Sequence, residues 1–392
     1  MKILVFTTLY PNNMRPNHGI FIKARINSVS KSNGCQVKVI APIPYFPSVK
    51  IDQKWQFSQI NEVENIDGID VYHPRYFLIP KIGMILHGFL MFLSVVKSVK
   101  RMQQEYNFDL IDAHYVYPDG FAAVLLSRLL KIPVVVSARG TDIHLFRRFP
   151  VIRLFLKYTL YKADQIVSVS EALKKMILEL NITKQKVTVI PNGVDTKKFF
   201  PFSKLKARKQ LSLPNGRILL SVCRLTPVKG VDLLIRSFKV LVEQHQHSNI
   251  NLVIIGDGES KQILKKMIAE FQLQDKTIFK DSVAHSELNI WYNAADVFCL
   301  ASEREGWPNV ILEAMATGLP VIASNVGGIP EIIVSSDYGL LTDRNEQDFA
   351  RKIGDALQTK WSSRNISQYA STFSWEKVAN SVKQVYHQSS LS

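Results

Sequence analysis

One segment decides the fold. Residues 297–323 read VFCLASEREGWPNVILEAMATGLPVIA. This pattern predicts a buried strand at 297–301, a glycine-containing loop, and a helix that Pro308 opens at a position where no backbone N–H is needed. Gly318 is placed to end that helix, and Pro320 to begin the next strand. A strand, a crossover helix and a second strand in this order are typical of a parallel α/β sheet.

The same alternation of short apolar strands with longer helix-like segments runs through the whole chain, so we predict an α/β fold. The strands are apolar throughout rather than alternating, which indicates that both faces of each sheet are covered. The predicted strands lie at 3–7, 37–41, 110–114, 134–138 and 166–169, and then at 218–223, 252–255, 297–301 and 321–323.

The length of 392 residues exceeds what one hydrophobic core usually organises, which predicts two domains. A Pro-Asn-Gly turn at 191–193 and the polar, basic stretch that follows it to about residue 210 predict the connection between them. We expect a Rossmann-like domain at 1–200 and a second at 201–372. The last segment, 373–392, is expected to form a helix that packs back on the first domain.

A weak internal repeat also indicates two similar units. Ala163-Asp164 precedes one predicted strand and Ala295-Asp296 precedes another, and Ser-Glu follows both strands. Aspartate before a strand and serine after it are also ordinary loop choices, so the repeat by itself leaves both explanations open.

Charge and cysteine content narrow the function classes. Residues 1–200 carry 27 Lys and Arg against 14 Asp and Glu, whereas residues 201–392 carry 22 against 19. An anionic partner is therefore expected for the first domain, and a membrane surface or, in a different class of function, a nucleic acid fits that charge. Three scattered cysteines are typical of a reducing compartment. No apolar stretch reaches the roughly 20 residues of a membrane span, so we expect a cytoplasmic protein.

Two segments of the first domain combine cations with apolar side chains. The apolar stretch 82–96 is bordered by Lys81, Lys97, Lys100 and Arg101. The stretch 146–162 interleaves aromatic and aliphatic residues with cations at Arg147, Arg148, Arg153, Lys157 and Lys162. This composition is typical of helices that lie on an anionic membrane, and it predicts peripheral contact with the inner face of the cell membrane. For 82–96, the alternative is a crossover helix buried on the sheet.

The segment 305–313 resembles the hallmark of the GT-4 family of glycosyltransferases, two glutamates eight positions apart before Glu-Ala-Met-Ala-x-Gly-x-Pro-Val. The likeness continues through SVCRLTPVKG at 221–230, GDG at 256–258 and GGIPE at 327–331. The resemblance implies the GT-B fold, in which two Rossmann-like domains with parallel sheets face a central cleft. It also implies a retaining hexosyltransferase of bacterial cell-surface polysaccharide or glycolipid biosynthesis. Such an enzyme uses a nucleotide-sugar donor and a lipid-linked or glycan acceptor.

The resemblance also assigns roles in the second domain. Arg224 and Lys229 would bind the donor diphosphate and stabilise the charge left on it. Glu305 would contact the donor sugar, and Glu313 the ribose. The helix terminus between the glutamates suits a phosphate, and the donor-binding residues expected there are Gly306, Trp307, Pro308, Asn309 and Val310. On spacing alone, both glutamates are equally compatible with solvated acids at the rim of a buried helix.

The first domain matches the family at fewer positions. His114 stands where relatives keep a histidine beside the reacting sugar, although a lone histidine is more often structural. Gly19 matches a glycine loop that lets this domain approach the diphosphate closely. Arg139 occupies the place of a histidine, which argues against a catalytic role at that position. In the second domain, Asp281 replaces a glycine near the nucleobase pocket.

The chain contains no Asp-x-Asp triplet, so we expect neither a metal nor another cofactor. Two alternative enzymes fit the same architecture. A nucleotide-sugar epimerase would change the donor sugar without an acceptor, and a sugar phosphorylase would form a sugar 1-phosphate from inorganic phosphate. The more remote alternative, a basic polyanion-binding module, fits the ordered phosphate-site motifs poorly, and we expect no nucleic-acid partner.

Overall fold

The computed structural model describes residues 1–32, 34–47, 53–78, 84–244 and 249–390. The chain forms two compact units. The first comprises Met1–Asn192 together with Trp375–Ser392, and the second comprises Gly193–Ser374. The α/β prediction is confirmed, because each unit is a mainly parallel sheet covered by helices.

The first unit is built on an eight-stranded sheet within the described residues. The strands in chain order are β1 (Lys2–Phe6), β2 (Gln36–Ile40), β3 (Ile43–Pro44), β4 (Val63–Ile66), β5 (Ile69–Tyr72), β6 (Arg75–Tyr76), β7 (Leu110–His114), β8 (Val134–Ala138), β9 (Gln165–Ser168) and β10 (Val187–Val189). The order in the sheet is β10-β9-β8-β7-β1-β2-β5-β4, and β3 pairs separately with β6.

Helices cover both faces of this sheet. They are α1 (Ile20–Lys31), α2 (His87–Tyr106), α3 (Phe121–Leu130), α4 (Thr141–His144), α5 (Pro150–Lys162), α6 (Glu171–Leu178) and the C-terminal helix (Trp375–Ser389). The C-terminal helix packs against α1, where Val382 and Tyr386 join Ile22 and Ile26 in one core. No helix formed by the described residues is long and apolar enough to cross a membrane.

A hairpin departs from the expected parallel pairing. The strands β4 and β5 are antiparallel, and Asp67 and Gly68 form the two-residue turn between them. Both turn residues have positive φ, 54° and 85°. An Asp-Gly turn of this kind matches the twist of two antiparallel strands, which explains the change of direction. The hairpin lies at the edge of the sheet, so the parallel centre is unaffected.

The second unit has a six-stranded parallel sheet within the described residues. Its strands are β11 (Arg217–Val222), β12 (Ile250–Ile255), β13 (Thr277–Lys280), β14 (Val297–Leu300), β15 (Val321–Ser324) and β16 (Gly339–Thr342), and its helices are α7 (Lys204–Gln210), α8 (Val231–Glu243), α9 (Lys261–Glu270), α10 (Leu288–Ala294), α11 (Asn309–Ala316), α12 (Ile329–Ile332), α13 (Glu346–Gln358) and α14 (Ser363–Ser371). The order is β13-β12-β11-β14-β15-β16. It reverses between β11 and β14, which is where sheets of this type bind ligands.

The boundaries between the units differ from the predicted ones. The chain enters the second unit after Asn192 rather than after residue 200, because Val194 already pairs with Ser374. The supposed connection contains α7, whose Arg208 lies 2.6 Å from the carboxylate of Asp296. This stretch is polar because it forms a surface helix, not because it is a linker.

The Ala-Asp repeat has a structural counterpart in each unit. The carboxylate of Asp164 accepts a hydrogen bond from the N–H of Val134 over 2.7 Å, and its own N–H donates to the Val134 carbonyl over 3.0 Å. Asp296 makes the same pair of bonds with Ile218, at 2.7 and 2.8 Å. Each aspartate therefore aligns the start of one strand with its neighbour.

Candidate active site

The candidate donor site lies where β11 and β14 end side by side. Gly230 lets the loops after these strands approach closely, since it has a φ of +62° and a Cβ there would lie 2.1 Å from the carbonyl oxygen of Ala301. A main-chain hydrogen bond of 2.8 Å from Glu303 to Val228 joins the same two loops. Side chains from both loops are thereby brought to one place at the carboxyl edge of the sheet.

Lys229 and Glu305 form an ion pair across these loops. Nζ of Lys229 lies 2.6 Å from Oε1 of Glu305, and the hydroxyl of Ser302 donates to the same oxygen over 2.7 Å. Only 9% of the Glu305 side chain is exposed, so water screens the pair less than it screens a surface salt bridge. Lys229, which is expected to bind the diphosphate, is thus held by Glu305, which is expected to bind the donor sugar.

Arg224 lies on the loop that follows β11, five residues before Lys229. Its side chain is exposed, and the described residues offer it no ion pair. A guanidinium in this state can make a bidentate contact with phosphate oxygens without first breaking another interaction. The two residues that are expected to bind the diphosphate therefore differ, since Lys229 forms an ion pair with Glu305 and Arg224 is exposed.

Glu313 is held by two residues that the sequence reasoning missed. Its Oε1 lies 2.9 Å from Nε2 of His285, and its Oε2 accepts a hydrogen bond from the hydroxyl of Tyr292 over 3.1 Å. A carboxylate offers about four acceptor positions, so this one can still accept ribose hydroxyls. His285 and Tyr292 lie on the segment before β14, outside the quoted motif, and no local spacing signals them.

Cys223 directly follows β11, next to the loop that carries Arg224 and Lys229. Burial raises the pKa of its thiol to about 11, while the charge of Lys229 lowers this pKa and that of Glu305 raises it. The thiol is therefore neutral at neutral pH.

The helix between the glutamates begins and ends where the sequence predicts. Pro308 precedes the first residue of α11, Asn309, and Gly318 follows the helix with a φ of 78°. Asn309 and Val310 are half-buried in its first turn, whereas Gly306, Trp307 and Pro308 are buried. The Trp307 ring packs against Phe373 at 5.8 Å between centroids, so it supports the loop from within the unit.

Asp281 directly follows β13, at the edge where the resemblance leads us to expect a glycine. Its carboxylate lies 2.6 Å from Nζ of Lys261, and the side chain of Asp281 is 73% exposed. The hydrogen bond from Lys261 lowers the pKa of Asp281. An exposed ion pair therefore stands at this edge of the second sheet.

In the first unit, His114 ends β7 and is fully buried. Its Nδ1 accepts a hydrogen bond from the guanidinium of Arg139, and its Nε2 lies 3.2 Å from Oδ2 of Asp112. Burial lowers the pKa of His114 to about 4, so the ring is neutral at neutral pH. Arg139 also donates to the side-chain oxygen of Asn192 over 3.0 Å. The cation that replaces the family's histidine is thus in direct contact with His114.

Gly19 lies immediately before α1 with a φ of 65°. A Cβ at this position would lie 2.1 Å from the carbonyl oxygen of Leu9. The loop after β1 and the start of α1 therefore approach each other more closely than a side chain would allow.

Two family models match the chain. Residues 31–198 match the model described as Glycosyltransferase Family 4, and residues 203–373 match the model described as Glycosyl transferases group 1. Together with the two Rossmann-like units, these matches define the class of protein. The chain is a glycosyltransferase with the GT-B fold.

Relatives of known name are similar over most of the chain. A Bacillus subtilis (strain 168) glycosyltransferase named for teichuronic acid biosynthesis is 28% identical, over 90% of this chain and 88% of the relative. N-acetyl-alpha-D-glucosaminyl L-malate synthase of Bacillus anthracis is 25% identical, over 75% of this chain and 78% of the relative.

Solved structures share the fold. Sucrose-phosphate synthase of Thermosynechococcus elongatus has a TM-score of 0.80 at 20% identity. The match covers 99% of this chain and 98% of the synthase chain. HepE of Anabaena, solved with UDP, has a TM-score of 0.75 at 19% identity and covers 99% of this chain and 100% of its own. HepE has also been solved with UDP-glucose.

Proposed function

We propose that this glycosyltransferase moves a hexosyl group from a nucleoside diphosphate sugar to a lipid-linked or polysaccharide acceptor, with retention of configuration. The observation that carries the proposal is the Lys229–Glu305 pair, with Arg224 exposed on the same loop. Cations of this kind bind a diphosphate, and a carboxylate accepts sugar hydroxyls. The structure of HepE with UDP-glucose and the naming of the Bacillus subtilis relative for teichuronic acid biosynthesis support the same reaction.

In this mechanism, the donor diphosphate competes with Glu305 for the ammonium of Lys229. The carboxylate that is released then accepts hydrogen bonds from the sugar. As the glycosidic bond breaks, negative charge grows on the diphosphate, and Lys229 and Arg224 stabilise it by roughly 1.5–3 kcal/mol each. A phosphate oxygen of the leaving group takes the proton of the acceptor hydroxyl. His114 is not needed as the base, because the phosphate oxygen takes this proton and Nδ1 of His114 already accepts a hydrogen bond from Arg139.

A thermal-shift screen of UDP-, GDP- and ADP-sugars tests the donor class. A donor present at 100 times its Kd stabilises the folded protein by about 2.7 kcal/mol. We expect one nucleotide class to raise Tm in the wild type and not in Arg224→Ala. Failure of every nucleotide sugar would contradict the proposal. A donor sugar that changes without any acceptor would identify an epimerase instead, and formation of a sugar 1-phosphate with inorganic phosphate would identify a phosphorylase.

We further propose that transfer needs no metal ion, with Lys229, Arg224 and the start of α11 in place of a cation on the diphosphate. Among the residues that the structure describes, no group of three or more His, Cys, Asp or Glu side chains could hold a metal. The direct test is activity. We expect transfer to continue in excess EDTA, and a loss that Mg²⁺ or Mn²⁺ restores would refute this part of the proposal.

The first unit is proposed to dock on an anionic membrane that presents the acceptor, and α2 supports this. Its buried face, which includes Met91 and Val95, packs as the expected crossover helix. The opposite face is also apolar, since Phe89 is 47% and Leu93 51% exposed. The helix is therefore the expected crossover helix, and its exposed apolar face supports the proposed docking. The first residues of the predicted segment, with Lys81, lie outside the described residues.

A second helix repeats this arrangement. On α5, Leu154 is 63% and Tyr161 64% exposed, and Arg153 is exposed among them. Because α2 and α5 both pack against α3, the three helices lie side by side in the first unit. Exposed apolar groups interleaved with cations match a surface of anionic lipid better than a nucleic acid, which would call mainly for cations and stacked rings.

Flotation with vesicles of graded anionic lipid content tests the docking. The variant Arg148→Gln/Arg153→Gln/Lys157→Gln leaves out Arg147, which already pairs with Glu179 over 2.8 Å. Its matched control removes three exposed cations of the second unit, through Lys206→Gln/Lys209→Gln/Lys265→Gln.

We expect the wild type and the control to float more as the anionic lipid content rises, and the first variant to float less. Salt should release the bound protein, since the Debye length is about 3 Å at 1 M. A wild type that ignores lipid charge, or two variants that float equally, would point to a soluble acceptor.

A further inference from the structure

A buried polar chain leads from the C-terminal helix to His114. The hydroxyl of Tyr386 donates a hydrogen bond to Oδ2 of Asp112 over 2.5 Å, and both side chains are fully buried. Asp112 precedes His114 by two residues on β7, so the two side chains lie on the same face of the sheet. The last helix of the chain thus contacts the carboxylate that faces the predicted catalytic histidine.

The other side of the ring determines where its proton lies. Nδ1 of His114 faces the guanidinium of Arg139, and a guanidinium has donors and no acceptor. Nδ1 must therefore be unprotonated and accept the hydrogen bond. The proton of the neutral ring is then on Nε2, which lies 3.2 Å from Oδ2 of Asp112 but outside hydrogen-bond geometry.

We propose that Tyr386 is a positioning residue which fixes the Asp112 carboxylate beside Nε2 and thereby holds the neutral His114 ring in one orientation. The inference rests on the proposed function and on the family resemblance, which implies that His114 lies beside the reacting sugar. Tyr386 contacts neither ring nitrogen itself, and its hydroxyl acts by fixing the oxygen that Nε2 faces.

The charges around Asp112 are consistent with this role. Burial alone would raise the pKa of Asp112, but the neighbouring His114, the charge of Arg25 and the hydrogen bonds to the carboxylate lower it below its usual range. Arg25 reaches the cluster from α1 and donates to the hydroxyl of Ser137 over 3.1 Å. The carboxylate therefore stays charged while buried, which requires that its donors remain in place.

NMR of the full chain with ¹⁵N-labelled histidine reports the tautomer directly. The signals of His114 are assigned by their loss in His114→Gln. We expect the wild type to show a protonated Nε2 and an unprotonated Nδ1 from about pH 5.5 to 8, a range that brackets the ordinary pKa of histidine. A wild-type ring that is protonated on Nδ1 at neutral pH would overturn the proposal, whether or not any variant folds.

Tyr386→Phe removes one hydroxyl and leaves the ring in the core. Because Arg139 still fixes the tautomer, we expect the ¹⁵N signal of Nε2 to shift, kcat to fall roughly 10- to 100-fold, as when an oriented group is misplaced, and the donor KM to stay unchanged. Tyr10→Phe is the matched control. Tyr10 is buried in the same core, and its hydroxyl has no hydrogen-bond partner in the described structure. A Tyr386→Phe protein with the wild-type spectrum and kcat would refute the role.

A double-mutant cycle separates positioning from a general loss of stability. Asp112→Asn removes the charge through which Tyr386 acts, so Tyr386→Phe should have little further effect on kcat in that background. Additive losses would overturn the proposal. A wild type that transfers sugar from no donor would refute the proposed function instead, and it would leave the ¹⁵N spectra unchanged, so the two failures are distinguishable.

Discussion

The two units share a sheet design but differ at the carboxyl edges of their strands. In the second unit, Lys229 is partly exposed, and it can exchange Glu305 for another anion. In the first unit, His114 is closed between Asp112 and Arg139 and fully buried. An open pair is suited to bind and release a charged ligand, whereas a closed cluster is suited to orient a group. The same edge of the same fold therefore supports two different tasks.

The surfaces of the two units differ in a second way. Among the described residues of the second unit, the exposed large apolar side chains are Phe200, Leu205, Ile263 and Val334. In the first unit they are more numerous, and many lie on α2 and α5 beside cations. The charge excess of the first half of the sequence therefore coincides with exposed apolar surface, which is the combination that a lipid surface attracts.

The largest effect is expected when the cations of the candidate donor site in the second unit, Arg224 and Lys229, are removed. We expect Arg224→Ala and Lys229→Ala each to lower kcat by about 10²–10³, because each removes an oriented donor to the charge that grows on the diphosphate. Steady-state kinetics with a saturating acceptor measures the loss. Lys239→Ala, on α8 of the same unit, serves as a control for the loss of a cation. Near-normal turnover in both Arg224→Ala and Lys229→Ala would contradict the proposal that these residues bind the donor diphosphate.

Glu305→Gln tests the role of the Lys229–Glu305 ion pair more finely, because it removes the negative charge and keeps the shape of the side chain. We expect the use of the donor sugar to fall roughly 10- to 100-fold, as for the loss of a charge-assisted hydrogen bond. The bare nucleoside diphosphate should bind at least as tightly as before, because Lys229 no longer has a competing carboxylate. Titration calorimetry with each ligand distinguishes the two effects, and equal losses for both would argue against a sugar-facing Glu305.

Substitutions of Asp164 and Asp296 test whether the two units depend equally on the hydrogen bonds that these aspartates make at the start of a strand. Asp296 lies 2.8 Å from Lys204 and 2.6 Å from Arg208, in addition to its bond with Ile218. We expect Asp296→Asn to reduce the free energy of unfolding by about 1–3 kcal/mol, measured by urea denaturation.

The contacts of Asp296 with Lys204 and Arg208 also predict that the stability of the protein depends on pH. Burial would raise the pKa of Asp296, but Lys204 and Arg208 lower it below its ordinary value. A lowered folded-state pKa means that the stability is present above the pKa of the unfolded chain and is lost as the pH falls through the folded pKa. The difference between wild type and Asp296→Asn should therefore shrink below about pH 4. A difference that grows in acid would contradict the ion pairs.

The smallest effect is expected for Asp164→Asn. Asp164 makes the same main-chain bonds with Val134 but has no ion pair among the described residues. Because an asparagine oxygen still accepts the hydrogen bond, the loss should stay below about 1 kcal/mol. The same urea titration measures it. A loss as large as that of Asp296→Asn would show that the ion pairs add nothing to the second unit.

Sequence patterns located the centre of each sheet better than its edges. Every predicted strand is present, with ends that shift by at most two residues. The strands that were missed include β4, β10, β13 and β16, which are the outermost strands of the two sheets. An edge strand is half-exposed, so it lacks the continuous apolar run that marks a strand buried on both faces.

The local chemistry of the site was also readable. Pro308 and Gly318 predicted the limits of α11 because a proline ring and a left-handed glycine act on the residues beside them. The sequence alone thus determined the α/β pattern, the course of the motif through loop and helix, and the residue types available to a diphosphate and a sugar.

The tertiary structure decided which of these residues meet. Lys229 and Glu305 are 76 positions apart, and Asp112 and Tyr386 are 274 apart. His285 and Tyr292 reach Glu313 from a segment that no motif marks. Spacing along a chain predicts contacts within a turn or a helix, because the backbone geometry there is regular. Contacts between loops depend instead on strand order and on how closely glycines such as Gly230 let two main chains approach, and both arise only when the sheet is assembled.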